Sequence, residues 1–177
     1  MKAIILAALL GFGVPSGESY IKDASTALAA GEYEQSIELF ENALATNDLP
    51  QDLRVAALMD EAHAYHLLGR PKDAIQKFSS VIAIAPGHAQ AYVGRAGAYF
   101  LDGEIDKAVD DYNHVLQLTQ SDNPLRSTAL VGRAGGYFRE NKIDLSLADY
   151  ASALRIDPKD ELPRFLRGTV YWRIGRF

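Results

Sequence analysis

The heptapeptide GRAGAYF, at residues 94–100, returns as GRAGGYF at residues 132–138. Only one position differs, where Ala98 corresponds to Gly136. Because the two copies lie 38 residues apart in a chain of 177, they indicate an internal repeat of helix-pair size. The register of that repeat can be extended in both directions along the chain.

Five residues that are expected to end helices fix the register. They are Gly31, Gly69, Gly103, Asn141 and Gly175, at intervals that alternate between 38 and 34 residues. Asparagine is the usual substitute for glycine where a helix ends in the left-handed conformation. The spacing predicts four helix pairs followed by the first helix of a fifth.

Small and aromatic residues recur at fixed distances from these helix ends. Seven positions earlier stand Ala24, Ala62, Ala96, Ala134 and Gly168, and three positions after these, from the second unit on, stand Tyr65, Tyr99, Tyr137 and Tyr171. The second helices repeat Ser36 and Phe40, Ala74 and Phe78, Ala108 and Tyr112, and Ser146 and Tyr150. Spacings of three and four place each set on one helix face, where small residues allow close packing.

In these columns the chain resembles the tetratricopeptide repeat family, most clearly in AYVGRAGAYFLDGEIDKAVDDYNHVLQL at residues 91–118. RPKDAIQKFSSVIAIAP and GEYEQSIELFENAL show the same pattern. The resemblance covers residues 17–177 and implies an all-α, right-handed superhelical solenoid of antiparallel helix pairs. The expected single domain has repeats at 17–50, 55–88, 89–122 and 127–160 and a half repeat at 161–177. At the first-helix position where the family often has tryptophan, this chain has Tyr20, Leu58, Tyr92 and Leu130.

Residues 17–88 and 89–160 match at an offset of 72, which indicates that a two-repeat block was duplicated. Each block carries four additional residues at its middle junction, QDLR at 51–54 and NPLR at 123–126. Four residues make about one helical turn. The helix after each junction is therefore expected to start about one turn early.

Charges also follow the repeat. Arg95, Arg133 and Arg167 share a first-helix column, and Asp111 and Asp149 share a second-helix column. In the second repeat the signs are exchanged, with Glu61 and Lys77 in those columns. This predicts an ion pair between the two helices of a repeat; the alternative is that these charges are solvated independently.

Composition argues against several classes of function. The chain has 18 Lys and Arg against 23 Asp and Glu, so no basic face for nucleic acid is expected. It has no cysteine. His63 and His66 lie one turn apart, yet no third ligand accompanies them at a fixed spacing, so no metal is predicted. No catalytic constellation is present in the sequence, and we expect neither an enzyme nor a cofactor.

The N-terminus MKAIILAALLGFGVPSGES has a lysine, an apolar run at 3–14 and a break of small residues. This order is typical of a secretory signal, with cleavage after Ser16 or Ser19. We expect residues 1–16 to be removed and the protein to be exported to the periplasm or medium, without a membrane span in the mature chain. The alternative is a cytoplasmic protein whose first helix is apolar.

In the family, first helices line a concave groove that binds peptides. The candidate groove residues are those on the first helices that do not belong to a packing column. They are Met59, His63, His66, Val93, Gly97, Phe100, Val131, Gly135, Phe138, Phe165 and Trp172. Their apolar character favours a groove for an apolar peptide of a partner protein. They do not carry the lysine, asparagine and arginine side chains with which some members grip a terminal carboxylate. The alternative is a structural or self-assembling domain, in which these residues pack against neighbouring repeats or another copy.

The half repeat is expected to be adhesive. Its helix keeps the packing residues Gly168 and Tyr171 in place of the polar face that a terminal repeat needs. The alternatives are that the natural chain continues beyond Phe177, or that another copy or a partner covers this face; another copy would make a homo-oligomer through the C-terminal edge.

Overall fold

The computed structural model describes residues 15–120 and 124–176, and the regular structure within these ranges consists of α-helices. The helices are α1 (Gly17–Ala30), α2 (Tyr33–Ala45), α3 (Gln51–Leu67), α4 (Pro71–Ile84), α5 (Ala89–Asp102), α6 (Ile105–Leu118), α7 (Pro124–Arg139), α8 (Ile143–Ile156) and α9 (Glu161–Arg173). The predicted all-α repeat fold is confirmed. Residues 1–14 of the predicted signal lie outside the described residues.

Contacts divide the chain into two compact units, Met1–Pro86 and Gly87–Phe177. The described part of unit 1 contains α1 to α4, and that of unit 2 contains α5 to α9. Within each unit every helix packs against the next, and α1 also contacts α3 as α5 contacts α7. The expectation that residues 17–177 form a single solenoid stays a prediction.

The first helices end as predicted, in a left-handed residue. The φ angles are 80° at Gly31, 69° at Gly69, 84° at Gly103, 60° at Asn141 and 68° at Gly175. Other residues pay a steric penalty in this conformation. The following amide then bonds back to the tyrosine column, for example from Lys142 N to Tyr137 O at 2.8 Å. The chain can therefore reverse within two residues and start the second helix.

The predicted packing columns form the core. Ala24, Ala62, Ala96 and Ala134 are all 0% exposed, as are Phe40 and Phe78. In unit 1 Phe40 packs with Ala24 and Ala57, which joins α2 to the first helices on either side. In unit 2 Tyr150 packs with Ala134 and Val170 in the same way.

The junction residues lengthen the following helix and also stabilise the preceding one. Helices α3 and α7 have 17 and 16 residues, against 14 in α1 and α5, which confirms the predicted early start. Arg54 donates to Leu44 O at 3.2 Å and to Thr46 O at 3.3 Å. Arg126 donates to Leu116 O at 2.7 Å. Each arginine thus satisfies carbonyl groups left unpaired at the end of α2 or α6.

Two glycines of the second heptapeptide, Gly132 and Gly136, lie where close contacts in unit 2 leave no room for a side chain. A Cβ atom at Gly132 would overlap the ring of Tyr112, and one at Gly136 would lie 2.7 Å from Val109 Cγ2. Burial raises the pKa of Tyr112 to about 12. The single change from Ala98 to Gly136 therefore makes room for a valine on α6.

The predicted ion pairs join the two helices of the second, third and fourth repeats. Arg95 Nη2 lies 2.7 Å from Asp111 Oδ1, and Arg133 Nε lies 2.7 Å from Asp149 Oδ2. Each arginine makes a second hydrogen bond to the same carboxylate, which raises the arginine pKa. The alternative of independently solvated charges is wrong, because the two aspartates are each 9% exposed.

The exchanged pair of the second repeat is the most buried. Lys77 Nζ lies 2.5 Å from Glu61 Oε1, and the side chain of Glu61 is 0% exposed. Burial raises the pKa of Glu61, and hydrogen bonding to Lys77 acts in the opposite direction. The exchange of signs predicted from the sequence is thus present in the fold, with the acid inside.

Candidate functional site

In unit 1 the predicted ligand-binding residues mostly take part in packing. Contrary to the prediction, Met59 is only 7% exposed and offers little surface to a peptide; its flexible side chain suits an irregular packing site. His63 is half-buried, and its ring lies edge-on to Phe78 at a centroid distance of 5.4 Å. Burial lowers the pKa of His63. His66 is also half-buried.

In unit 2 the ring of Phe100, one of the predicted groove residues, lies between two helices. Phe100 extends from α5 so that a Cβ atom at Gly135 of α7 would lie 3.8 Å from its ring. The guanidinium carbon of Arg139 lies 4.3 Å from the ring centroid. Gly135 therefore leaves space that Phe100 partly fills, and the guanidinium group of Arg139 lies over the ring.

The same arrangement recurs between α7 and α9. Phe138 packs against the buried cluster that contains Val170, and the guanidinium carbon of Arg173 lies 4.7 Å from its ring centroid. Both rings are half-buried. Packing against the neighbouring repeat, the alternative left open by the sequence, therefore accounts for part of their surface.

The two predicted groove residues of α9 are exposed aromatic side chains. Trp172 is 72% exposed and Phe165 is 69% exposed. Beside them lies an open cavity of about 480 Å³ lined by Gly168, Tyr171, Trp172 and Arg176. We call Phe100, Phe138, Phe165 and Trp172 together with Arg139 and Arg173 the Phe–Arg face.

The arginines of this face were not among the residues predicted from the sequence. Arg139 and Arg173 each directly follow the aromatic residue of their helix, in YFR at 137–139 and YWR at 171–173. That recurrence is the signal that identifies them. The other predicted residues of unit 2, Val93, Gly97 and Val131, are half-buried on the same first helices.

The described residues were compared with the requirements of a metal site and of a membrane span. Within 15–120 and 124–176, no three histidine, aspartate or glutamate side chains come close enough together to hold a metal ion. No helix in these ranges is long and apolar enough to cross a membrane. The arrangement of the Phe–Arg face can bind apolar side chains on its rings and anionic or carbonyl groups on its guanidinium edges.

Two sequence-family profiles, both described as tetratricopeptide repeat, match residues 22–89 and 65–129. Together they span more than half of the chain. The chain belongs to the tetratricopeptide repeat family. Both units show the features of this tetratricopeptide repeat fold. These are antiparallel helix pairs, first helices that end in a left-handed residue, and columns of buried alanines.

Among curated proteins, this tetratricopeptide repeat chain is similar to DnaJ homolog subfamily C member 3 of Bos taurus. The two are 24% identical over 106 residues, which is 60% of this chain and 21% of that protein. The chain thus spans about a fifth of the length of that relative.

Solved structures show the same tetratricopeptide repeat fold. The crystal structure of MamA protein has a TM-score of 0.77 and 19% identity, covering 90% of this chain and 83% of the other. The first tetratricopeptide repeat domain of Spaghetti (RPAP3), bound to the HSP90 peptide SRMEEVD, has a TM-score of 0.64 and 18% identity. That match covers 73% of this chain and 99% of the other.

Proposed function

We propose that this tetratricopeptide repeat protein is a non-enzymatic interaction scaffold that binds an apolar segment of a partner protein along the Phe–Arg face. The observation that carries the proposal is the exposure of Trp172 and Phe165, at 72% and 69%. Large exposed aromatic groups in a continuous patch are typical of binding surfaces. A structure of the same fold holds a peptide of another protein.

The arginines refine the chemistry of the ligand. Arg139 and Arg173 are exposed, and each lies over a phenylalanine ring while its charge remains close to solvent. A guanidinium group that stacks on a ring can still donate from its edge to a carboxylate. The segment that fits best therefore alternates apolar side chains with acidic ones.

Truncation of the most exposed ring tests this function. A peptide selected from a displayed library with the whole protein should bind Trp172→Ala more weakly by about 2 kcal/mol or more, as for an aromatic hot spot. The thermal midpoint should stay near wild type, because Trp172 is exposed. Fluorescence anisotropy gives the affinity, and Leu145→Ala, which truncates a side chain 50% exposed on α8, is the matched control.

Phe138→Ala separates binding from packing. We expect it to weaken both peptide affinity and unfolding free energy, because its ring packs against the cluster of Val170. If Trp172→Ala and Phe165→Ala leave affinity unchanged, the Phe–Arg face is not the ligand site. If no peptide is selected and light scattering shows self-association, the alternative of a structural domain covered by another copy is favoured.

We also propose that the protein is exported and that the signal is cut after Ser16. Support comes from the start of α1, where Gly17 N donates to the Asp48 carboxylate at 3.1 and 3.3 Å, although Ser16 is the N-cap residue of the helix. Cleavage after Ser16 would remove that cap and leave a terminal ammonium group beside Asp48. Cleavage after Ser19 would instead remove the first turn of α1.

N-terminal sequencing of protein expressed with its leader in an exporting host should therefore begin at Gly17. The reason is that a chain starting there keeps the contact of its first nitrogen with Asp48. A sequence starting at Tyr20 would contradict the proposed site. An intact Met1 would contradict export.

A further inference from the structure

In unit 2 a further cavity, of about 660 Å³, lies between α6, α7 and α8. Its apolar lining comes from Leu116, Leu130 and Ile156. The charged residues of its lining are three arginines and one aspartate, which together give a net charge of +2. The chain as a whole has a net charge of −5 at pH 7, so a positive cavity stands out from the rest of the protein. We call it the arginine cavity.

The arginine cavity and the Phe–Arg face use different sides of α7. Arg126, Leu130 and Arg133 line the cavity at spacings of four and three, which places them on one side of the helix. Phe138 follows Arg133 by five residues, or about 140° around an α-helix. A ligand of the cavity therefore does not have to contact the Phe–Arg face.

One of the three arginines has its charge neutralised inside the fold. Arg133 donates from Nε and Nη2 to the Asp149 carboxylate at 2.7 and 2.8 Å. Its Nη1 donates to Asn113 Oδ1 at 2.6 Å. All three nitrogens of this guanidinium group are thus in use, and Asp149 is its counterion.

The other two arginines have donors in reserve. Arg126 donates from Nη1 alone, to Leu116 O at 2.7 Å and to Thr119 O at 3.1 Å. Arg155 is exposed and donates from Nη2 to Ser152 Oγ at 2.7 Å. Among the residues that the structure describes, neither Nε atom has an acceptor and neither guanidinium group pairs with a carboxylate. Two positive charges that line one cavity therefore lack a counterion in this part of the chain.

The duplicated block shows that Arg155 is not required for folding. At an offset of 72, unit 1 keeps the apolar residues, the serine and the first arginine of the cavity, as Leu44, Arg54, Leu58, Ser80 and Ile84. It has Ala83 where unit 2 has Arg155. Since α4 forms its helix pair with alanine at this position, the arginine of α8 is an addition that packing does not explain.

We propose that the arginine cavity binds an aspartate or glutamate side chain of a partner protein. The carboxylate of that residue accepts hydrogen bonds from Arg126 and Arg155 and supplies the negative charge that the cavity lacks. Asp149 does the same for Arg133 within the fold. An apolar residue next to the acidic one packs on the apolar lining of the cavity.

The surroundings of Arg126 favour a carboxylate over a phosphate group. The last carbonyl groups of α6 border the cavity, because Arg126 donates to Leu116 O. The carbonyl end of a helix has a partial negative charge, which repels a doubly charged phosphate more strongly than a single carboxylate. Arg133 already binds a carboxylate in this cavity through two parallel hydrogen bonds, the geometry that guanidinium groups favour.

A peptide with blocked ends and the sequence GALELAG is a suitable probe. It is titrated into the whole, isotope-labelled protein, and the arginine Nε–H resonances are followed by NMR. We expect the resonances of Arg126 and Arg155 to shift saturably, because each can donate from Nε. Replacing the glutamate of the peptide with glutamine should weaken binding at least about tenfold, because charge-assisted hydrogen bonds are lost.

Arg155→Ala tests the site without disturbing the fold, because it introduces the residue that unit 1 has at the matching position. It should leave the thermal midpoint near wild type and weaken the probe about tenfold, as for a lost hydrogen bond between charged groups. Lys72→Ala, which removes an exposed positive charge from unit 1, is the matched control and should leave the affinity near wild type.

Four results would overturn the proposal. They are the absence of a saturable shift, equal binding of the glutamine peptide, an effect of Arg155→Ala no larger than that of Lys72→Ala, and tighter binding of inorganic phosphate or of the phosphoserine version of the peptide. Trp172→Ala should leave the affinity of the probe unchanged. A loss in that variant would assign the probe to the Phe–Arg face and would also overturn the proposal, so the two sites can be tested separately.

Discussion

Replacing Lys77 with methionine should lower the free energy of unfolding by about 3 kcal/mol at pH 7, because the variant leaves a buried carboxylate without its cation. Glu61 is 0% exposed, and its Oε2 atom has no hydrogen-bond donor among the described residues. The loss is bounded, since Glu61 can take up a proton instead. That costs about 1.4 kcal/mol for each pH unit above its unfolded pKa.

The loss should depend on pH in a defined direction. Burial raises the pKa of Glu61 in the folded state, so between the unfolded and folded values the folded protein binds more protons. Stability contributed by this group therefore falls as pH rises through that window. Without Lys77 the folded pKa rises further, and the gap between variant and wild type should widen from about pH 4 towards pH 7.

Urea unfolding curves at several pH values measure this gap. In the double variant Lys77→Met, Glu61→Gln, the contribution of this pair to the unfolding free energy should no longer depend on pH, because neither side chain can be ionised. Glu61→Arg combined with Lys77→Asp should recover much of the stability, because it copies the pair of Arg95 and Asp111. If Lys77→Met lowers the free energy of unfolding equally at pH 4 and pH 7, the ionisation of Glu61 is not the cause of the loss.

The sequence predicted those features that depend on period alone. The left-handed ends, including Asn141, follow from the interval between repeats, and so does the pairing of Arg133 with Asp149 across two helices. In the second repeat both charges are exchanged together, to Glu61 and Lys77. Contact between the two side chains is the simplest explanation of such a joint exchange. The early starts of α3 and α7 follow from counting four residues per turn.

Other features depend on distances between helices, which a period does not determine. The stacking of Arg139 on Phe100 requires that α7 place its last turn beside the ring of α5. The burial of Met59 depends in the same way on how closely the neighbouring helices approach. Arg54 and Arg126 recur at an offset of 72, yet only the structure shows that they bind the carbonyls of the preceding helix.

Gly132→Leu should destabilise the protein by about 3 kcal/mol, at the upper end of the range for overpacking. Even a Cβ atom at Gly132 would overlap the ring of Tyr112, which is 7% exposed and has little room to turn away. Gly168→Leu is the matched control, since it occupies a helix interior with nothing within 4 Å. It should leave stability unchanged or raise it by up to about 1 kcal/mol through helix propensity.

Tyr112→Ala identifies the cause, because it removes the ring that Gly132 accommodates. Alone it should cost about 3 kcal/mol or more, as for other large aromatic truncations in a core. Combined with Gly132→Leu it should cost clearly less than the sum of the two single changes, because the leucine enters the space left by the ring. Denaturant unfolding of the four variants gives the coupling energy. Additive losses would show that Gly132 serves some property of α7 other than contact with Tyr112. A large coupling would explain why the second copy of the heptapeptide begins with glycine, because the ring of Tyr112 lies where a side chain at Gly132 would be.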